Sequence, residues 1–268
     1  MRQLMLTSAL CTSLVLGAAP PATAQVQPQP APQAEAASEP AITVIEPLDR
    51  AAAFAEHPLE PFVASYEVYN KGRRLGEATM ELVRGSNNRW RIDLNMRGTG
   101  LLRLTGLNAE QSVVFEEREG QLLPISQATS QRALVSNRRQ VGVYDWKARR
   151  ATWRGDVRES RRDPVPLQDG DMPGLLINLA VIRDASPGVR LRYRYVDGGR
   201  AREHIYQAES ATDGYEAGEI GYQALRLQRG DASDGTELWV ASGVPTPLRV
   251  LQHEDGADGI DLRLIEYK

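Results

Sequence analysis

The side chains of this sequence best suited to metal binding or proton transfer near neutral pH are three histidines, His57, His204 and His253. None has a second histidine at metal-ligand spacing. His57 precedes Pro58, and the other two fall in stretches that alternate as strands, so all three are read as isolated side chains without a metal or general-base role. No G-x-S-x-G turn, H-E-x-x-H helix or phosphate-cradling G-x-x-x-x-G-K occurs. The single cysteine, Cys11, sits in the apolar N-terminal run, which removes thiol catalysis, disulfides and thiolate metal sites from the chain that follows. The expectation is a protein without cofactor or metal, and not an enzyme.

Carboxylates cluster at Asp231-x-x-Asp234-Gly235-x-Glu237 and at Glu254-Asp255-Gly256-x-Asp258-Gly259-x-Asp261. Their spacing misses the calcium-loop pattern and their Asp-Gly pairs suit hairpin turns, so both are read as turns. Arg-Gly-Asp triplets begin at Arg154 and Arg229 and are assigned no role. Charge is distributed unevenly. Ten basic residues against three acidic ones between Arg132 and Arg162 make that stretch +7, with Tyr144, Trp146 and Trp153 interleaved. Arg138, Arg139, Arg149, Arg150 and Arg154 are its candidate docking surface for an envelope protein or an anionic membrane, weighed against a plain solvated face.

The chain of 268 residues is 41% hydrophobic and 25% charged with formal net charge -3, which excludes fibrous and largely disordered classes and offers no bulk basic charge for nucleic acid. Arg2, the apolar run Leu4–Ala19 and the small residues Ala22 and Ala24 have the three parts of a secretory signal peptide cleaved after Ala24. The run is too short and too interrupted by Thr and Ser to span a bilayer, so no transmembrane span is expected after cleavage. Cys11 follows Leu10 inside the run, which argues against a lipoprotein. Periplasmic location is the expectation. Residues 25–59, rich in Pro, Ala and Gln, read as a flexible tether, and 60–268 as a single β-barrel-like domain.

Period-two alternation identifies the elements. Phe62, Ala64, Tyr66 and Val68 face one way in the first strand, Ala78, Met80 and Leu82 in the second, and Trp90, Ile92, Leu94 and Met96 in the third. Further strands are predicted at 111–118, 122–131, 138–147, 150–155, 189–196, 202–209, 215–229, 236–241, 247–254 and 260–267, separated by turns such as Asp197-Gly198-Gly199. The fold class is mainly β, a large antiparallel meander curled into a barrel or half-barrel. One helix, about 172–184, interrupts it. Asp171 is its predicted cap, and its all-round apolar character requires burial across the sheet.

The pattern Tyr66-x-Val68-Tyr69-x-x-Gly72-x-x-Leu75-Gly76-Glu77, the single helix, Trp239-Val240 followed by Pro247-Leu248-Arg249, and Leu264-x-x-Tyr267 resemble a bacterial exported family, domain of unknown function three-one-zero-eight. The resemblance covers about 62–268 and implies an envelope protein of antiparallel β-structure, with no catalytic residue to carry over. More distantly, the plan is similar in architecture to periplasmic lipoprotein-carrier folds, whose concavity holds acyl chains. Two functions follow as expectations. One is a non-enzymatic periplasmic protein holding a lipid-like amphiphile between sheet and helix, with Leu175, Leu179, Ile182, Trp90, Ile92 and Leu94 as ligand contacts. The alternative is an envelope protein-interaction module with a filled core and the basic face as its docking surface.

Overall fold

The computed structural model describes residues 58–99, 108–133, 136–230, 234–254 and 257–268. The leader, Cys11, His57, nearly all of the tether, and Asp231, Asp255 and Gly256 of the acidic runs lie outside the described residues. Seven strands come first: β1 (Phe62–Asn70), β2 (Arg73–Arg84), β3 (Arg89–Gly98), β4 (Asn108–Arg118), β5 (Gln121–Ala133), β6 (Ser136–Asp145) and β7 (Arg150–Gly155). A 3-10 turn, Glu159–Arg161, then leads to two very short strands, β8 (Val165–Pro166) and β9 (Asp171–Met172), and to the helix α1 (Gly174–Asp184). The return is β10 (Arg190–Asp197), β11 (Arg200–Ala208), β12 (Asp213–Ala217), β13 (Ile220–Gly230), β14 (Gly235–Ala241), β15 (Arg249–Glu254) and β16 (Ala257–Tyr267).

All these strands join one sheet, ordered β8-β7-β6-β5-β4-β3-β2-β1-β16-β15-β14-β13-β11-β10-β9, with β12 paired to β13 beside that path. Pairing is antiparallel except where β9 meets β10 in parallel. The sheet does not close, because β8 and β9 at its two ends are not paired with each other; it is a curled half-barrel. The predicted alternation holds in β1, where Phe62, Ala64, Tyr66 and Val68 are buried, and in β3, where Trp90, Ile92 and Leu94 are.

The helix fills the interior. Leu176, Ile177, Ala180 and Val181 are each 0% exposed and belong to one core with residues of β1–β5 and β10–β16. At full burial each such aliphatic side chain contributes on the order of 1.5–3 kcal/mol. Tyr66, inside this core, donates its hydroxyl to the Pro247 carbonyl at 2.8 Å and lies 2.5 Å from Thr246 Oγ1, so its polar tip is satisfied. A second, smaller cluster of Tyr144, Ala151, Trp153, Val157, Val165, Leu167 and Val196 packs where the two ends of the sheet approach.

Three expectations are corrected, and two short strands appear that the alternation does not predict. The helix begins at Gly174, and Asp171 does not cap it: Asp171 lies in β9, where its Oδ2 accepts from the Arg194 guanidinium at 2.5 Å and the Gln168 amide at 2.8 Å. The span 215–229 is a hairpin of β12 and β13, because Gly218, at φ 59° and against the Ile265 carbonyl, reverses the chain. The short strands β8 and β9 carry too few residues to show alternation. Glu237 and Asp261, read as parts of acidic turns, are strand residues buried against arginines: Glu237 accepts from Arg226 and Asp261 from both Arg249 and Arg263.

Candidate functional site

A groove of about 540 Å³ opens between the C-terminal half of α1 and the sheet. Leu179, Ile182 and Ala185 form its helix side, and Phe62, Leu82, Leu225 and Val240 its sheet side. The Ser242–Pro245 loop and Pro58–Glu60 complete the rim. The lining is mainly apolar, with Glu60, Arg183, Thr212 and Gln223 as polar groups. Arg183 is held in place: its guanidinium pairs with Asp184 at 2.6 Å and 3.0 Å and donates to the Gly120 carbonyl at 2.9 Å, while Asp184 also accepts from the Tyr193 hydroxyl at 2.9 Å. The last turn of α1 is thereby tied to the β4–β5 turn on one side and to β10 on the other. That fixes the helix wall of the groove.

Of the six side chains expected to contact a ligand, the structure places Leu179 and Ile182 on the groove. Leu175, Trp90, Ile92 and Leu94 are buried in the core beneath. Residues that line the groove without having been singled out come from β1, β2, β13 and β14. Their alternation marks them as buried, but only the sheet order brings β2 and β13 to the same helix. No signal in the text of the chain distinguishes them from other core positions.

Where the sheet ends approach, polar side chains rather than backbone pairs cross the gap. The Tyr144 hydroxyl lies 2.5 Å from Gln127 Oε1 and 2.7 Å from the Val196 carbonyl, joining β6 to β5 and β10. Gln127 in turn donates to Asp197 Oδ1, and Tyr195 donates to Asp197 Oδ2 at 3.1 Å. Burial raises the Asp197 carboxyl above its ordinary pKa, against the opposing hydrogen bonds from Gln127, Tyr195 and the Gly198 amide. His204 stacks on Tyr195 with ring centres 4.4 Å apart. Burial first, then Arg229 and Arg202, lowers its pKa to about 4. His253 sits elsewhere, with Nε2 2.8 Å from Glu237. Among the described residues no group of three or more His, Cys, Asp or Glu side chains is placed to hold a metal.

The five arginines of the expected docking surface are all exposed. By strand alternation and the register of Val141 against Arg154, Arg139 and Arg154 share one face with Val143, which is 49% exposed; Arg150 lies on the same side of β7, whereas Arg138 has the opposite parity. Arg149, in the β6–β7 turn, pairs with Asp169 at 2.5 Å and lies 6.0 Å from the Trp146 ring centre.

Comparison with curated proteins found no match. Among solved structures, the chain is similar to the crystal structure of a beta-barrel-like protein of domain of unknown function DUF1849 from Brucella abortus, at 7% identity over 78% of this chain and 97% of that one, with TM-score 0.41. It is also similar to MucB, at 12% identity over 83% of this chain and 57% of that one, with TM-score 0.31. In the Pseudomonas aeruginosa MucA/MucB complex the figures are 13% identity, 83% of this chain, 56% of that chain and TM-score 0.35. The chain thus spans little more than half the length of those MucB chains. Among the described residues no helix is long and apolar enough to cross a membrane. The model of a family of proteins of unknown function, DUF3108, matches residues 65–256, and the chain belongs to that family.

Proposed function

We propose that this is a non-enzymatic protein of the cell envelope, exported to the periplasm, that holds the apolar part of a lipid-like amphiphile between α1 and the sheet. The observation that carries the reading is the open, mainly apolar groove of about 540 Å³ beside Leu179 and Ile182. That volume falls within the roughly 300–1,000 Å³ of small-molecule sites. An acyl chain laid there removes its methylenes from water at about 0.8 kcal/mol each, and Glu60, Thr212 and Gln223 at the groove offer partners for a polar end. The signal-peptide features of Met1–Ala24 support export.

A second reading, an interaction module docking through its basic face, is favoured by one observation. Leu176, Ile177 and Val181 are wholly buried, so the interior beneath the groove is filled. Binding of a fluorescent fatty acid separates the two. The carrier reading expects saturable binding by the wild-type protein, weakened about tenfold or more in Ile182→Glu, which places a charge on the groove wall. No binding by a folded wild-type protein that also copurifies with no lipid refutes it and leaves the docking module. Intact mass of periplasmic product starting at Gln25 tests the export part, which a full-length cytoplasmic product would sink.

A further inference from the structure

The other end of β10 carries a different feature. The groove includes Pro187, just before β10 begins at Arg190, whereas the Asp197-Gly198-Gly199 turn starts at its last residue. At that turn Gly199 packs directly on the 3-10 turn of Glu159–Arg161: a Cβ on Gly199 would overlap the carbonyl oxygen and Cβ of Arg161. Gly198 and Gly199 have φ of 55° and 74°, the left-handed values a tight hairpin requires. This contact brings Arg161, from one end of the sheet, beside Arg200 and Arg202 of β11, at the other.

Arg200 stands opposite Asp197 and Arg202 opposite Tyr195 in the β10–β11 register, so both arginines share a face with the buried Tyr206, six and four residues further along β11. Arg229 stands opposite Tyr206 on that same face. Among the described residues Arg158, Arg161, Arg200 and Arg202 form no ion pair, and the buried Nε of Arg161 has no hydrogen-bond partner. The nearby acids are engaged or exposed. Asp156 accepts from the Arg139 amide, Asp197 from Gln127 and Tyr195, and Glu203 pairs with Arg192. Glu159 and Asp163 are exposed and form no ion pair among the described residues. The positive field is felt locally: burial and then Arg200, Arg158 and Arg202 lower the pKa of Arg161, and Arg229 and Arg202 help to hold His204 neutral.

Arginines gathered at one turn, with the Nε of Arg161 buried and unmet, are a cost to the fold unless an anion joins them. Arginine's planar fork matches the oxygens of a phosphoryl group, two donors to two acceptors, and three such forks from two chain segments give a site rather than a diffuse field. We propose that Arg161, Arg200 and Arg202 form a binding site for a phosphate group at the junction of the two sheet ends. The proposal does not depend on the apolar groove.

Titration calorimetry of the full mature chain with inorganic pyrophosphate tests it. One saturable site is expected, with affinity falling about tenfold or more in each of Arg161→Gln, Arg200→Gln and Arg202→Gln. Arg154→Gln, on the outer face of β7, is expected to change affinity less than about twofold. In the wild type, pyrophosphate should raise the titration midpoint of His204, followed by NMR, above about 4. Flotation with phosphatidylglycerol or phosphatidylcholine vesicles distinguishes the source of the phosphate. Binding to phosphatidylglycerol vesicles that pyrophosphate displaces identifies a lipid headgroup; pyrophosphate binding without flotation identifies a soluble phosphate compound. Absence of both kinds of binding, or an equal loss in Arg154→Gln, overturns the proposal.

Discussion

The interior around α1 and the junction between the sheet ends are both buried, yet they are held together by different chemistry. Around the helix, Leu176, Ile177 and Val181 pack against aliphatic and aromatic side chains of both halves of the sheet. At the junction, a small cluster around Tyr144 and Trp153, whose rings meet edge to face at 5.7 Å, is overlaid by the Tyr144–Gln127–Asp197–Tyr195 chain of hydrogen bonds. Apolar packing is non-directional and tolerates small displacements of a helix on a sheet. A hydrogen-bond chain is satisfied only at one geometry, and loses most when one member is removed. The helix therefore supplies stability, while the polar chain sets how the sheet ends meet.

Replacing Leu176 by alanine should show the largest effect, a loss of about 2–5 kcal/mol in urea unfolding, because its surroundings are filled. A loss below about 1 kcal/mol would mean that the helix core is loosely packed and would erase the contrast. Tyr144→Phe is next. It strands a Gln127 oxygen in a site that is 4% exposed and frees the Val196 carbonyl, for an expected cost of about 1–3 kcal/mol. A neutral outcome would mean that the junction rests on its apolar cluster alone.

The pH dependence sharpens the comparison, since Asp197 and His204, whose carboxyl and imidazole are shifted by burial, both lie on the β10–β11 side of the junction. The Asp197 carboxyl binds its proton more tightly in the folded chain than in the unfolded one, where the ordinary value is 3.8. Its stabilising contribution is thus complete below that value and is lost as pH rises through the higher folded value. His204 has the opposite sign: depressed from 6.5 to about 4, it contributes fully above 6.5 and its contribution is lost as pH falls towards 4. Melting temperature measured from pH 3 to 8 should therefore lose its Asp197 component in Asp197→Asn, with the variant gaining on the wild type as pH rises from 4 to 7. An unchanged difference across that range would show that Asp197 is not desolvated. The smallest expected effect is that of Asp169→Asn, which removes the exposed pair with Arg149, of 50% and 74% side-chain exposure, and should cost about 0–1 kcal/mol by the same unfolding measurement.

The same contrast explains what could be read from residue order. Period-two alternation in Trp90-x-Ile92-x-Leu94 and the apolar run Leu175–Ile182 are local patterns, and both elements form as those patterns require. The half-barrel follows from the number of such strands. The junction was not legible, because its parts lie far apart in sequence and each looks ordinary alone. Gln127 is one polar residue in a strand, Asp197 precedes two glycines as a turn residue does, and Asp171 stands where a helix cap is common. The meeting of β5, β6 and β10 gives Gln127 and Asp197 their partners, and the pairing of β9 with β10 brings Arg194 to Asp171. The groove was half legible: Leu179 and Ile182 follow from helical spacing, but their sheet neighbours depend on strand order.

The pairing of β1 with β16 has a consequence for how the chain reaches its folded form. The amide of Val63 donates to the Lys268 carbonyl at 2.8 Å and the amide of Lys268 returns the bond to Val63 at 3.0 Å, so the first strand of the sheet waits for the last. Closing a loop of that length is entropically costly before any contact rewards it, and topologies dominated by such distant pairings fold on the millisecond to second scale. Until β16 is in place, β1 presents an unpaired row of amides and carbonyls. During synthesis and early folding this strand is therefore an open template for another chain, and a chaperone that shields it would act at the point of greatest kinetic exposure.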